Sequence, residues 1–206
     1  MKQFKISVLL LALSGILFAF NATANVLQDP IKMLQDVTSN VLQALKQNKA
    51  PESNKEIYSV VDKFVIPYVD FNEMSEWVSG RNIWRTASDK TRQEFISAFK
   101  ILTVRTYATA LNSYTNEKVE FGKQNLDLSK ARIQVSSTIV RTGKENIKLN
   151  YRLVKHNDKW FVYDVIIEGV SILQGFQAQF SDKIRQQGLQ VVTEQIQEHN
   201  RQKNVE

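Results

Sequence analysis

Apolar positions along this chain change their spacing twice. From Asp29 to about Tyr114 they recur every three or four residues, from Val119 to Ile167 every second residue, and from Ser171 onward every three or four again. The first stretch predicts four helices. Asp29-Pro30 reads as N-cap and first helical residue, with Leu34, Val37, Val41 and Leu45 on one face up to a break at Asn48 to Pro51. Ser53 with Glu56 makes a capping box for a second helix carrying Ile57, Val60, Val61 and Phe64, which Pro67 ends. Asp70 with Glu73 repeats the box for a short third helix of Phe71, Met74, Trp77 and Val78, and Gly80 is placed to terminate it.

The longest helix is predicted from Ser88 or Asp89 to about Tyr114. One stripe holds Phe95, Phe99, Leu102 and Thr106, and its neighbour holds Ile96, Thr103, Tyr107, Ala110 and Tyr114. So wide an apolar face predicts a central helix covered on more than one side. Four strands follow: Val119 to Phe121, Ile133 to Ile139, Ile147 to Leu153, and Trp160 to Ile167. Turns are expected at Thr142-Gly143 and Asn157-Asp158. Such short connections make the sheet antiparallel. Alternation in the last strand sets Trp160 and Val162 against Phe161, Tyr163, Val165 and Ile167, so it is expected to be central or covered on both faces. Two helices then carry Leu173, Phe176, Phe180 and Ile184, and, beyond Gly188, Leu189, Val192 and Ile196, before a polar tail to Glu206. The expected class is α+β, with N-terminal helices, an antiparallel sheet of about four strands, and C-terminal helices.

Ahead of all this stands a different pattern. Lys2 and Lys5 precede an apolar run from Ile6 to Phe20 and then Ala22-Thr23-Ala24, the order of a cleaved secretory signal peptide. The run is short for a membrane span, which takes about 20 apolar residues. Residues 1–24 are therefore expected to be removed, leaving residues 25–206 as one domain. The net charge of +6 includes both leader lysines, so the remainder carries +4. That mild balance, with no run of Lys or Arg, excludes a nucleic-acid track.

Candidate chemistry is sparse. With no cysteine and only His156 and His199, no metal site is expected, and most imidazole chemistry is excluded. Gly169-Val170-Ser171 lacks the second glycine of a nucleophile elbow. Asp164 and Glu168 could serve a cone-shaped α+β isomerase or hydrolase, but an isolated acid without an oxyanion donor is not a site. Edge or helix-capping roles are the better reading for both. Arg85, Arg105 and Arg152 could neutralise a phosphate or pair with nearby carboxylates.

Three segments together carry a resemblance. The first runs from Val69-Asp70-Phe71 to Ser79-Gly80 and on through Trp84-Arg85-Thr86-Ala87; the second is Val104-Arg105-Thr106-Tyr107-Ala108; the third runs from Trp160-Phe161-Val162-Tyr163 through Asp164-Val165-Ile166-Ile167-Glu168-Gly169-Val170-Ser171. In this order and at these separations the chain resembles the MlaC family of periplasmic phospholipid-binding proteins. It departs from the family's usual residues at Glu76, Ser79 and Gly175-Phe176-Gln177.

The resemblance implies a periplasmic, non-enzymatic carrier with no cofactor and with phospholipid as cargo. Its implied partners are a glycerophospholipid, an inner-membrane lipid ABC transporter complex and an outer-membrane lipoprotein-porin complex. Such a carrier needs an apolar lipid pocket, expected between the central helix and the sheet and lined by Phe99, Leu102, Leu149, Tyr151, Val165 and Ile167. The rivals are the cone-shaped isomerase or hydrolase, which needs Asp164 in its pocket, and a structural adaptor with a solid core.

Overall fold

The computed structural model describes residues 28–47, 54–108, 110–111 and 117–202. Residues 1–24, expected to be a signal peptide, Ser53, Tyr114 and the last residues of the tail lie outside the described residues. Helix α1 (Pro30–Gln47) starts where the sequence predicts, with Asp29 Oδ1 accepting from the amides of Ile31 at 2.8 Å and Lys32 at 3.2 Å. Helix α2 (Asn54–Phe64) runs into a single 3₁₀ turn (Ile66–Tyr68) around Pro67. Helix α3 (Phe71–Ser79) is capped by Asp70, whose Oδ1 accepts from the Glu73 amide at 2.9 Å.

Gly80, at φ +84°, both ends α3 and starts a helix that the periodicity does not announce, α4 (Arg81–Thr86). With Trp84 its one buried residue, six residues are too few to show a period. Helix α5 (Asp89–Ala108) is central as expected, packing on α2, α3 and α7 (Leu189–Gln202). Helix α6 (Ile172–Gln187) lies against α3, α7 and the sheet.

The sheet is an antiparallel meander of five strands in sequence order: β1 (Lys118–Glu120), β2 (Arg132–Val140), β3 (Ile147–His156), β4 (Lys159–Ile167) and β5 (Val170–Ser171). The fifth strand escapes sequence reading because it is two residues long and runs straight into α6, with Ser171 also serving as that helix's N-cap. Asn157 and Asp158, and again Glu168 and Gly169, adopt positive φ in the two-residue turns that close β3 to β4 and β4 to β5.

Strict alternation breaks down at one place in β4. Leu153 pairs with Val162 while Arg152 pairs with Asp164, so Tyr163 is an extra, bulged residue. An unbroken alternation would set Val165 opposite Val162. The bulge restores it to the same face, where Trp160, Val162 and Val165 pack with Tyr151 and Leu153 under Met33 and Leu34 of α1. The other face carries Val154, Phe161 and Tyr163 into the main core with α3, α5, α6 and α7.

That main core is a chain of rings. Trp84 meets Phe95 edge-on at 6.4 Å, Phe95 stacks on Phe99 at 5.7 Å, Phe99 meets Phe176 edge-on at 4.9 Å, and Phe176 stacks on Phe180 at 6.2 Å. Beside it Asp164 is fully buried and joins three parts of the fold. Its Oδ2 accepts from Ser171 Oγ at 2.7 Å and from Arg152 at 3.2 Å, and its Oδ1 accepts from the Leu173 amide at 3.0 Å. Removing the carboxylate strands all three donors. Asp164→Ala is expected to cost about 3–5 kcal/mol in urea unfolding, and Asp164→Asn less, since its carbonyl oxygen still accepts from one of them.

Candidate functional site: two adjoining apolar chambers

Interior space is concentrated beneath α5 and α1. The first chamber, of about 260 Å³, lies between α2, the 3₁₀ turn, α3, α5 and β4. Val61, Val65, Ile66, Val104, Val162 and Val165 form its apolar walls, and Thr103, Tyr107, Tyr163 and Asp164 are its polar members. The second, of about 410 Å³, lies between α1 and strands β1, β2 and β3, where Val37, Val41, Leu42, Ile139, Leu149 and Tyr151 face it. Val65 and Leu111 line both chambers, so the two adjoin. Ligand cavities usually span ~300–1,000 Å³. The pair together falls within that span.

Local sequence explains the hollow. Val65 follows Phe64 at the end of α2, and Pro67 forces the chain into the 3₁₀ turn, which carries Val65 and Ile66 over the first chamber instead of along the α2 stripe. In α5, Phe95, Ala98, Phe99 and Leu102 face solid packing, whereas Thr103, Val104, Tyr107 and Ala108 face the first chamber. The bulge at Tyr163 delivers Val162 and Val165 to the same wall.

The six expected pocket residues are divided by the structure. Leu149 and Tyr151 line the second chamber and Val165 the first. Phe99 and Leu102 are buried in the aromatic core. Ile167, at the end of β4, is 37% exposed. Unexpected wall residues come from α1, α2 and the 3₁₀ turn, whose apolar positions carry no mark separating a cavity wall from a packed core.

The groups weighed for catalysis are occupied elsewhere. His156 Nε2 lies 2.8 Å from Asp70 Oδ2, tying the β3–β4 hairpin to the α3 cap. Glu168 accepts from the Lys148 amide, Arg105 donates to the Asn200 carbonyl, Arg152 is paired with Asp164, and Arg85 is exposed. Asp164 lines the first chamber, yet both its oxygens are engaged. Among the described residues no group of three or more His, Asp or Glu side chains is placed to hold a metal ion. A separate surface cleft between α3, β2 and α6 is charged, with Arg132 2.6 Å from Glu73 and Arg81 3.7 Å from Glu76.

Both chambers are thus walled mainly by hydrocarbon, with tyrosine and threonine side chains, the bonded Asp164 carboxylate in the first, and Glu117 and Arg141 on the second. This is the architecture of an α+β protein built to enclose an apolar ligand. The chain belongs to the MlaC protein family, whose profile it matches over residues 35–198.

It is 28% identical over 185 residues to the toluene tolerance protein ttg2D of Pseudomonas putida, covering 89% of this chain and 86% of that protein. It is 24% identical over 170 residues to the intermembrane phospholipid transport system binding protein MlaC of Haemophilus influenzae, covering 81% and 76%. Its fold superposes with a TM-score of 0.76 and 27% identity on the phospholipid-binding protein of Ralstonia solanacearum, solved in complex with a phospholipid, over 85% of this chain and 98% of that one.

Burial pushes the Tyr151 hydroxyl above its ordinary pKa of 10.0, partly offset by its bond to Ser137 at 3.3 Å. Burial, and then the neighbouring Asp164, raises that of Tyr107. A raised folded-state value means the stabilisation is complete below the unfolded value of about 10 and disappears as pH climbs through the folded value. Alkaline titration followed at the tyrosinate absorbance band should therefore show late-ionising tyrosines coincident with unfolding. Tyr151→Phe should remove part of that alkaline loss.

Proposed function

We propose that this protein is a periplasmic phospholipid carrier that moves glycerophospholipids between the outer and inner membranes and so maintains outer-membrane lipid asymmetry. The observation that carries the reading is the pair of adjoining, almost wholly apolar chambers. Membership of the MlaC family and the fold shared with a phospholipid-bound relative support it. The physics asks for such a space. Each CH₂ exposed to water costs about 0.8 kcal/mol, so two acyl chains of about sixteen carbons would cost roughly 25 kcal/mol if carried bare. Enclosing the tails removes most of that barrier.

The carrier is not an enzyme in this reading, and phospholipid is its cargo in place of a cofactor. The signal-peptide pattern of residues 1–24 supports export, and among the described residues no helix is long and apolar enough to cross a membrane. The pocket comprises Leu149, Tyr151 and Val165 on the chamber walls, with Phe99 and Leu102 as the packed support behind α5 and Ile167 at the open end of the sheet. Cargo is exchanged with an inner-membrane lipid ABC transporter complex and an outer-membrane lipoprotein-porin complex. Release requires the chambers to open, because equally tight binding in every state would stall transfer.

Native mass spectrometry of gently purified protein should show a phospholipid mass above that of the bare chain, matched by lipid in an organic extract. Protein that carries no lipid and cannot be loaded from detergent-dispersed phospholipid would overturn the proposal. Leu149→Trp should fill part of the second chamber, lowering lipid occupancy several-fold while the melting temperature of the lipid-free protein stays level or rises.

A further inference from the structure

Two hydroxyl-bearing residues one helical turn apart on α5, Thr103 and Tyr107, line the first chamber. Thr103 Oγ1 is buried and has no hydrogen-bond partner among the described residues. Among the described residues the Tyr107 hydroxyl has no hydrogen-bond partner either. Its ring is held edge-on to Phe176 at 5.8 Å, and the side chain, 36% exposed, spans from the chamber wall to the protein surface. For Thr103 the unpaired hydroxyl in apolar surroundings is costly, whereas the Tyr107 hydroxyl, reaching the surface, is a donor that a ligand acceptor can take over from water.

The rest of the wall says what kind of acceptor fits. Asp164 already accepts from Ser171, Leu173 and Arg152, and its charge balances that of Arg152. Tyr163 sits under the Arg132 guanidinium at 5.9 Å and belongs to the charged cluster of Arg132, Arg152 and Glu73. The chamber therefore presents donors without net positive charge. A phosphate or a free carboxylate would meet the Asp164 carboxylate with no unpaired cation to offset it, whereas a neutral carbonyl would not. Burial and Asp164 both keep the Tyr107 phenol protonated, and hence a donor, at neutral pH.

We infer that Tyr107, with Thr103 one turn before it, determines specificity by donating to an ester carbonyl of the bound lipid, so that ester-linked diacyl phospholipid is chosen over its ether-linked counterpart. This rests on the phospholipid-carrier reading and takes it from lipid class to linkage. Tyr107 holds the carbonyl at the mouth, where the glycerol ends and the tails begin, and Thr103 offers a second donor deeper in the chamber. Both hydroxyls act as positioning groups, and no bond is made or broken.

The test is a competition. Delipidated full-length mature protein is offered equal amounts of diester and diether phosphatidylglycerol of the same chain length, and the bound fraction is read by native mass spectrometry. The wild type is expected to favour the diester by about threefold to tenfold, the yield of one net hydrogen bond. Tyr107→Phe keeps the ring against Phe176 and should bring the ratio close to one, with the melting temperature of the lipid-free protein unchanged. Thr103→Val, which replaces an unpaired buried hydroxyl by a methyl of the same shape, should lower the ratio while the lipid-free protein melts at the same temperature or higher. Equal uptake of the two lipids by the wild type, or an undiminished preference in both variants, overturns the assignment. Uptake of neither lipid by the wild type overturns the carrier reading itself.

Discussion

An empty space inside a protein costs stability, because the atoms around it lack packing partners on one side. Everything else in this structure depends on how that cost is carried. The rings from Trp84 through Phe95, Phe99 and Phe176 to Phe180 form a dense core on one side of α5, in contact with α3, α6 and α7. The other side of the same helix looks into the first chamber. A single helix thus separates a filled half from a hollow half. The filled half can stay rigid while the hollow half changes its contents.

The polar groups follow the same division. His156 with Asp70, Arg132 with Glu73 and Arg152 with Asp164 are pairs that fasten elements to one another, at the sheet ends and beneath α3 and α6. None of them leaves a charge directed into the chambers unpaired. Walls of this kind discriminate by shape and by a few donors, which suits cargo whose bulk is hydrocarbon and whose variable chemistry lies at one end.

Much of this fold was legible in the residues. The Asp70 cap, the turn at Asn157-Asp158 and the change of apolar spacing locate many of the elements, because each is a local preference that agrees with the tertiary packing. Three features escaped. Helix α4 and strand β5 are too short to display a period, and the bulge at Tyr163 is a slip of register that leaves no mark in composition. The site was less legible than the fold. Both stripes of α5 are apolar, so hydrophobicity could not tell Phe99 and Leu102, which meet solid packing, from Val104 and Tyr107, which border open space. Val65 gave no periodic signal at all, since Pro67 ends the regular helix beside it.

The buried Asp164 has a consequence for the order of assembly. Two of its three partners, Ser171 and Leu173, lie after it in the chain, so burial of this carboxylate in β4 is unfavourable until those residues have arrived and it stays hydrated before then. Until then this side of the container cannot seal. The vessel is completed only when the segment from β5 into α6 has been delivered.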